Sequence, residues 1–376
     1  MLDLPAIRHH MHQNPELSGE EQHTQAYLRE QLAALPGVQV RTVGGTGLLA
    51  ILEGAAPGTG LLLRADIDAL PITEDMPGLA YQSQNPGVAH KCGHDGHATS
   101  LLGAVAEVAQ QSRVKRGCLY ALFQPAEETG QGAAQVLNDS AFPAADIQKA
   151  FAYHNVPKAP VGQLLFKEGA FSAGVISVAI RFYGKNTHAA EPEGGVNPSG
   201  ALSALLQQAA HMENRATEDA DFALLTPIFG RFGEKAYGTA AGAGEVHFTL
   251  RCWNAKRLDA LKNQLAEVVE RLAAQEGLTH ELAWFEEFRP TQNTAKERIW
   301  EAGKRLQLDL RELQGPFKWG EDFGLFTERY EGGMYGLGSG TEQVALHHPD
   351  FDYPDDLLNY AKAMFVQLVE MELGNG

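Results

Sequence analysis

Apolar and polar positions along the first third of the chain follow two alternating rhythms. Spaced apolar residues over 20–35, 98–110 and 132–137 predict helices, and short continuous apolar runs at 38–43, 48–53, 60–64, 118–123 and 150–153 predict buried strands. Strands that alternate with helices predict an α/β domain built on a mostly parallel sheet covered on both faces. The texture changes near residue 172. VISVAIRFYG (175–184) predicts a strand, 198–213 a helix, LLTPIFGRF (224–232) and GEVHFTLRCW (244–253) two strands, 255–275 a helix and 278–286 a strand. That order predicts a small ferredoxin-like α+β layer inserted into the first domain. After about residue 291 the pattern returns to helix and loop, and the amphipathic helix 356–373 completes the first domain. The expected domains are 1–171 together with 282–376, and 172–281.

The 376-residue length exceeds what a single core covers economically, which agrees with two domains. Hydrophobic residues at 44% and charged residues at 20% are those of a globular chain and exclude wholesale disorder. A formal charge of −17 argues against nucleic acid or an anionic membrane as partner, since both need a basic footprint. No leader-like pattern opens the sequence and no long apolar run follows, so a cytoplasmic location is expected. Cys92, Cys118 and Cys252 are far apart, which fits a reducing compartment better than a disulfide framework.

Polar clusters fall just after apolar runs, where open parallel sheets bind ligands. They are RADID (64–68), Glu127-Glu128 and His154. Between the first two lies KCGHDGHAT, in which Cys92, His94, Asp95 and His97 crowd a glycine-rich loop that leads into a helix. A thiolate, imidazoles and a carboxylate brought together without a metal would leave polar groups seeking partners, so a metal is expected here. No second Cys or His pair follows to close a structural cage, so the remaining ligands must come from distant strand ends, as in catalytic sites. Glu128 and His154 are the best-placed donors, and ALHHPDFDYPDD offers His347 or His348. Adjacent Glu127 and Glu128 suit a division of labour, one carboxylate on metal and the other taking the proton of an attacking water.

Taken together, RHHMHQNPELSGEE, RADIDALPI, KCGHDGHAT, FQPAEETGQGA, YHNVP, GKNTHAAEPEGGVNP, WGEDFG and LHHPDFDYPDDLL resemble the M20 metallopeptidase family, in its amidohydrolase branch. The motifs run in family order across nearly the whole chain. The resemblance implies a metal-dependent exopeptidase-like catalytic domain with an inserted lid and dimerisation domain. It also implies two divalent ions (Zn, Mn, Ni or Co) held by Cys92 as the bridge with His94, Glu128, His154 and His347. Glu127 would be the general base, with Asp66 and Asp68 supporting the ligands. In the inserted domain His188 would help polarise the substrate carbonyl, Arg251 would contact the substrate, and the chain would form a homodimer.

Some positions depart from the family pattern. Glu193 stands where a second histidine is usual, TAAGAGEVHFTLR keeps Arg251 but lacks a common asparagine, LHHP replaces LHNP, and Gly320 replaces a common serine. The expected activity is hydrolysis of the amide bond of small N-acyl amino acids. A dipeptidase using the same centre is the alternative, followed by a metal-binding protein without turnover.

Overall fold

The computed structural model describes residues 2–374. The chain divides into two compact units. The first comprises Met1–Phe171, Thr291–Gln314 and Asp322–Gly376, and the second Ser172–Pro290 and Gly315–Glu321. The expected boundary at 281/282 would cut through the strand Thr279–Phe288, all of which lies in the second unit.

The first unit is built on an eight-stranded sheet in the order Gln39–Val43, Gly47–Glu53, Arg116–Gln124, Ala56–Asp66, Lys149–Pro157, Glu331–Gly340, Leu164–Phe166, Leu310–Glu312. Its centre is parallel: Ala56–Asp66 pairs in parallel with Arg116–Gln124 and Lys149–Pro157, and Lys149–Pro157 with Glu331–Gly340. Antiparallel pairs flank this centre. Leu61, Leu63, Ala121, Phe123 and Phe151 are fully buried in the core beside Leu101, Leu102 and Val105 of the helix His94–Gln110 and Leu357, Met364 and Phe365 of the helix Asp355–Leu373. These continuous apolar runs are what a strand buried on both faces requires.

Glu331–Gly340, read from sequence as part of a helix-and-loop region, is a strand near the middle of the sheet. Glycines at 332, 333, 336, 338 and 340 erase its apolar rhythm. The site demands them: a Cβ on Gly338 would lie 2.0 Å from the Pro160 carbonyl oxygen. The helix Leu4–Gln13 was also not anticipated, because its buried face includes Arg8 and His12 as well as Leu4, Ile7 and Met11.

The second unit has a four-stranded antiparallel sheet in the order Ala223–Phe232, Ala243–Cys252, Gly174–Tyr183, Thr279–Phe288, with the helices Ser199–His211 and Ala255–Glu276 packed against it. In chain order that is second, third, first, fourth, the arrangement expected of a ferredoxin-like layer. Asn254 caps the longer helix by accepting the Arg257 N–H at 2.8 Å, and Gly277 ends it with φ +67°. Each unit thus has its own core.

Leu63 is fully buried in a central strand with no polar role. Leu63→Ala should lower the unfolding free energy of the first unit by about 2–5 kcal/mol in urea titration; a loss under about 1 kcal/mol would show that this position is not core.

Candidate metal centre

Parallel pairing brings three strand exits to one edge of the first unit's sheet, with Asp66 paired to Gln124 and Arg64 to Ala152. From Asp66 the chain turns to Asp68. From Gln124 it passes through Ala126, which adopts a left-handed φ of +51°, and so aims Glu127 and Glu128 back over the sheet edge. Gly132 lets this turn close tightly, since a Cβ there would lie 1.7 Å from the Pro125 carbonyl oxygen. His154 and Asn155 sit within the third strand. The loop before the helix His94–Gln110 ends at Gly93, φ +100°, where a Cβ would meet the Asn155 side-chain oxygen at 2.5 Å. His347, also left-handed at φ +64°, is tied to this loop by donating its N–H to the Lys91 carbonyl at 2.8 Å.

Several groups of donor atoms result among the described residues, and two of them share Cys92. One joins Cys92, His94 and His154; the other joins Cys92, Glu128 and His347, each group having its ligand atoms within 4.8 Å of one another. The His154 Nε2 lies 3.5 Å from the Cys92 Sγ, and its Nδ1 donates to the Asn155 carbonyl at 2.8 Å. His94 Nδ1 faces the Asp68 carbonyl at 2.9 Å and the Asp68 carboxylate at 3.2 Å, so it carries the proton. His94 Nε2 is buried without a hydrogen-bond partner, 3.7 Å from Glu128 and 3.9 Å from Glu127. Glu128 Oε1 is likewise buried and without a hydrogen bond, while Oε2 lies 3.6 Å from His347 Nε2. Imidazoles anchored through one nitrogen, with the other aimed into a cluster of acidic groups, are arranged as metal ligands are.

Residues 62–370 match the model of Peptidase family M20/M25/M40. The chain belongs to this family. Among curated members it is similar to the N-acetyl-L-cysteine deacetylase of Bacillus subtilis (strain 168), at 32% identity over 93% of this chain and 83% of that protein. It is equally similar to the N-acetyldiaminopimelate deacetylase of Streptococcus suis (strain 05ZYH33), at 32% identity over 99% of this chain and all of that protein. Among solved structures it resembles the Bacillus subtilis YXEP protein, a dinuclear metal binding peptidase from the M20 family. That match has a TM-score of 0.83 at 28% identity and covers 98% of this chain and 97% of the other.

The electrostatics of this M20 centre favour a cation. Burial pushes the Cys92 thiol well above its ordinary range, and the nearby Glu128, Glu127 and Asp66 carboxylates push it further. Burial lowers the His94 imidazole, but Asp66 and Asp68 outweigh it and raise the group to about 10. Burial also lifts the Glu128 carboxyl to about 7 against the pull of His94, and lowers His154 and His347. The Cys92 thiol and the Glu128 carboxyl thus hold their protons more tightly than usual, whereas the histidines and Arg64 keep Asp66 low and His94 keeps Asp68 low. The buried unpartnered His94 Nε2 and Glu128 Oε1, with the mixed thiol, imidazole and carboxylate set, fit borderline divalent ions.

Of the four candidate ligands in KCGHDGHAT, Asp95 and His97 are held by other partners. The helix begins at His94, so Asp95 points about 100° away and pairs with Arg8 at 3.1 Å and His12 at 2.9 Å. His97 returns toward the cluster one turn later, but its Nδ1 donates to Asp66 at 2.6 Å and its Nε2 meets the Asn155 side chain at 2.6 Å. His348 accepts the Asp350 N–H at 3.2 Å, so of the two adjacent histidines it is His347 that faces Glu128. His188 and Arg251 belong to the second unit. There His188 is exposed and accepts the Ala190 N–H, while Arg251 donates to the Lys318 carbonyl at 2.6 Å.

Sequence reasoning assigned no individual role to Asn155, Glu74 or the Arg64–Gln124–Asp322 set. Arg64 donates to Gln124 at 2.9 Å, Asp66 at 2.6 Å and Asp322 at 2.8 Å, all buried. The arginine next to the acidic pair in RADID was the available signal, since a buried arginine demands carboxylates.

A metal held by Cys92 and His94 would take a thiolate and a neutral imidazole, whereas burial favours the protonated thiol and the Asp66 and Asp68 carboxylates favour the charged imidazole, so binding would release protons. Apparent zinc affinity should therefore rise with pH, by up to about tenfold per unit for each proton released. Calorimetric titration in buffers of different ionisation enthalpy measures that release. Affinity that stays flat from about pH 6 to about pH 8 would contradict these proton assignments.

Proposed function

We propose that the chain hydrolyses the amide bond of small N-acyl amino acids, releasing a carboxylic acid and the free amino acid, in a reaction that depends on two divalent metal ions. The observation that carries this reading is the pair of ligand groups sharing Cys92, with Glu127 beside them. Cys92, His94 and His154 would hold one ion, and Cys92, Glu128 and His347 the other. When bound, such ions supply an acidified water and polarise the scissile carbonyl.

The chain's own residues do the rest. Glu127, buried and turned toward His94, is in neither of the groups that share Cys92, and it takes the proton of the attacking water. It then returns that proton to the departing amine. Asp68 holds His94 in the tautomer that presents Nε2, and Asp66 holds His97, which packs against His154 with ring centroids 4.8 Å apart. We assign His188 to the substrate's carbonyl oxygen and Arg251 to its carboxylate, on the chemistry of an imidazole and a guanidinium. Zinc or manganese suits this mixed donor set.

A homodimer accords with the edge strand Ala223–Phe232, where Ile228, Phe229 and Phe232 are exposed on an open sheet edge. A cytoplasmic location accords with three free thiols. Among the described residues no helix is long and apolar enough to cross a membrane.

Glu127→Gln should keep its metal content and Tm while kcat on N-acetyl amino acids falls by about 10²–10⁴. The measurement is release of free amino acid from a panel of N-acyl amino acids, with dipeptides alongside, using protein stripped by chelator and resupplied with zinc or manganese. Wild-type rates in Glu127→Gln would remove it as the base. Cleavage of dipeptides alone would make the protein a dipeptidase, and absence of turnover with either metal would leave a metal-binding protein.

A further inference from the structure

Glu21 opens the helix Gln22–Ala33, yet its side chain makes no capping hydrogen bond to that helix. The carboxylate is fully buried and turned the other way. One oxygen accepts the N–H of Gly19 at 2.8 Å and that of Ala126 at 2.9 Å, and the other accepts the Thr46 hydroxyl. Ala126 is the left-handed residue immediately before Glu127 and Glu128. Its carbonyl is fixed as well, accepting the N–H groups of Gln131 at 3.3 Å and Gly132 at 3.0 Å.

Glu21 is one of three buried carboxylates that receive N–H groups from this turn. Asp68 accepts from Glu128 at 3.0 Å and Asp322 from Ala133 at 2.9 Å. Asp68 and Asp322 are also tied to His94 and Arg64, whereas the hydrogen bonds to Glu21 come from loop groups and a threonine. Ala126 is itself buried, so without an acceptor its N–H would be stranded away from water. With the acceptor of its N–H gone, the left-handed alanine would relax toward the ordinary regions of backbone space. That rotation would swing both following side chains.

We propose that Glu21 is a positioning residue: its carboxylate holds Ala126 in the left-handed conformation that aims Glu127 and Glu128 at the cluster around Cys92. The inference rests on the assignment of Glu127 as base and Glu128 as ligand. It concerns a residue more than 100 positions upstream, with no contact to the reacting groups.

Three variants test it. Glu21→Ala removes the acceptor, Glu21→Asp draws it back by one methylene while keeping the charge, and Glu21→Gln keeps a carbonyl acceptor for Ala126. In the first two, kcat should fall about tenfold or more with KM within about twofold, because small displacements of reacting groups are costly while distant substrate contacts remain. Zinc affinity, read by competition with a chromogenic chelator, should weaken about tenfold for one of the two ions. Glu21→Gln should recover kcat to within about threefold of wild type, since a neutral acceptor can satisfy the same N–H.

Thermal unfolding identifies the folded fraction, and Glu21→Asp decides the matter if Glu21→Ala does not fold. Wild-type kcat and zinc affinity in folded Glu21→Asp, or a loss in Glu21→Gln as large as that in Glu21→Ala, would overturn the inference. Glu127→Gln is measured beside them. Full activity in Glu127→Gln would fail the underlying assignment, whereas an inactive Glu127→Gln with normal Glu21 variants would fail the positioning inference alone.

Discussion

The Asp68 carboxylate joins three stretches of chain that are far apart in sequence. It accepts the Ser18 hydroxyl at 2.7 Å, the Glu128 N–H at 3.0 Å and the His94 Nδ1 proton at 3.2 Å, with the Asp68 carbonyl sharing that last proton at 2.9 Å. A buried carboxylate is costly unless its lone pairs are filled. Filling them here fixes an imidazole tautomer and a turn at once. The rest of the centre follows from that constraint, because His94 and Glu128 belong one to each of the ligand groups that share Cys92.

Behind this junction the protein pairs its buried charges with unusual economy. Arg8 bonds Asp95, Asp352 and Asp355, His12 bridges Asp95 and Glu74, and Lys91 donates to Glu74 and to the Phe351 carbonyl at 2.8 Å. Removing one partner from such a network leaves an uncompensated charge worth about 3–5 kcal/mol of destabilisation. The network therefore ties the first helix, the glycine-rich loop and the His347 segment together. The loop that presents Cys92 is not held by packing alone.

Much of this was legible from sequence wherever chemistry and rhythm coincided. Acidic and imidazole groups placed just after apolar runs predicted the converging strand ends, and the order of elements after residue 172 predicted the second unit's sheet. Asp95 misled because sequence proximity to Cys92 and His94 does not reveal the helical rotation that turns it toward Arg8. His97 was ambiguous for a related reason: it shares a face with His94, but Asp66 and Asn155 already hold both of its nitrogens. The strand Glu331–Gly340 was hidden by the glycines that let Pro160 and Val156 approach its backbone. Glu21 falls inside the helix predicted over 20–35, and only the fold shows its carboxylate reaching Ala126.

In the proposed centre a single thiolate, that of Cys92, would serve two metal sites. Crystals of the protein loaded with zinc, measured for anomalous scattering at the zinc edge, test it most directly. Two peaks should flank the Cys92 sulfur, one beside His94 and His154 and the other beside Glu128 and His347. A single peak, or two peaks of which only one contacts Cys92, would contradict the account.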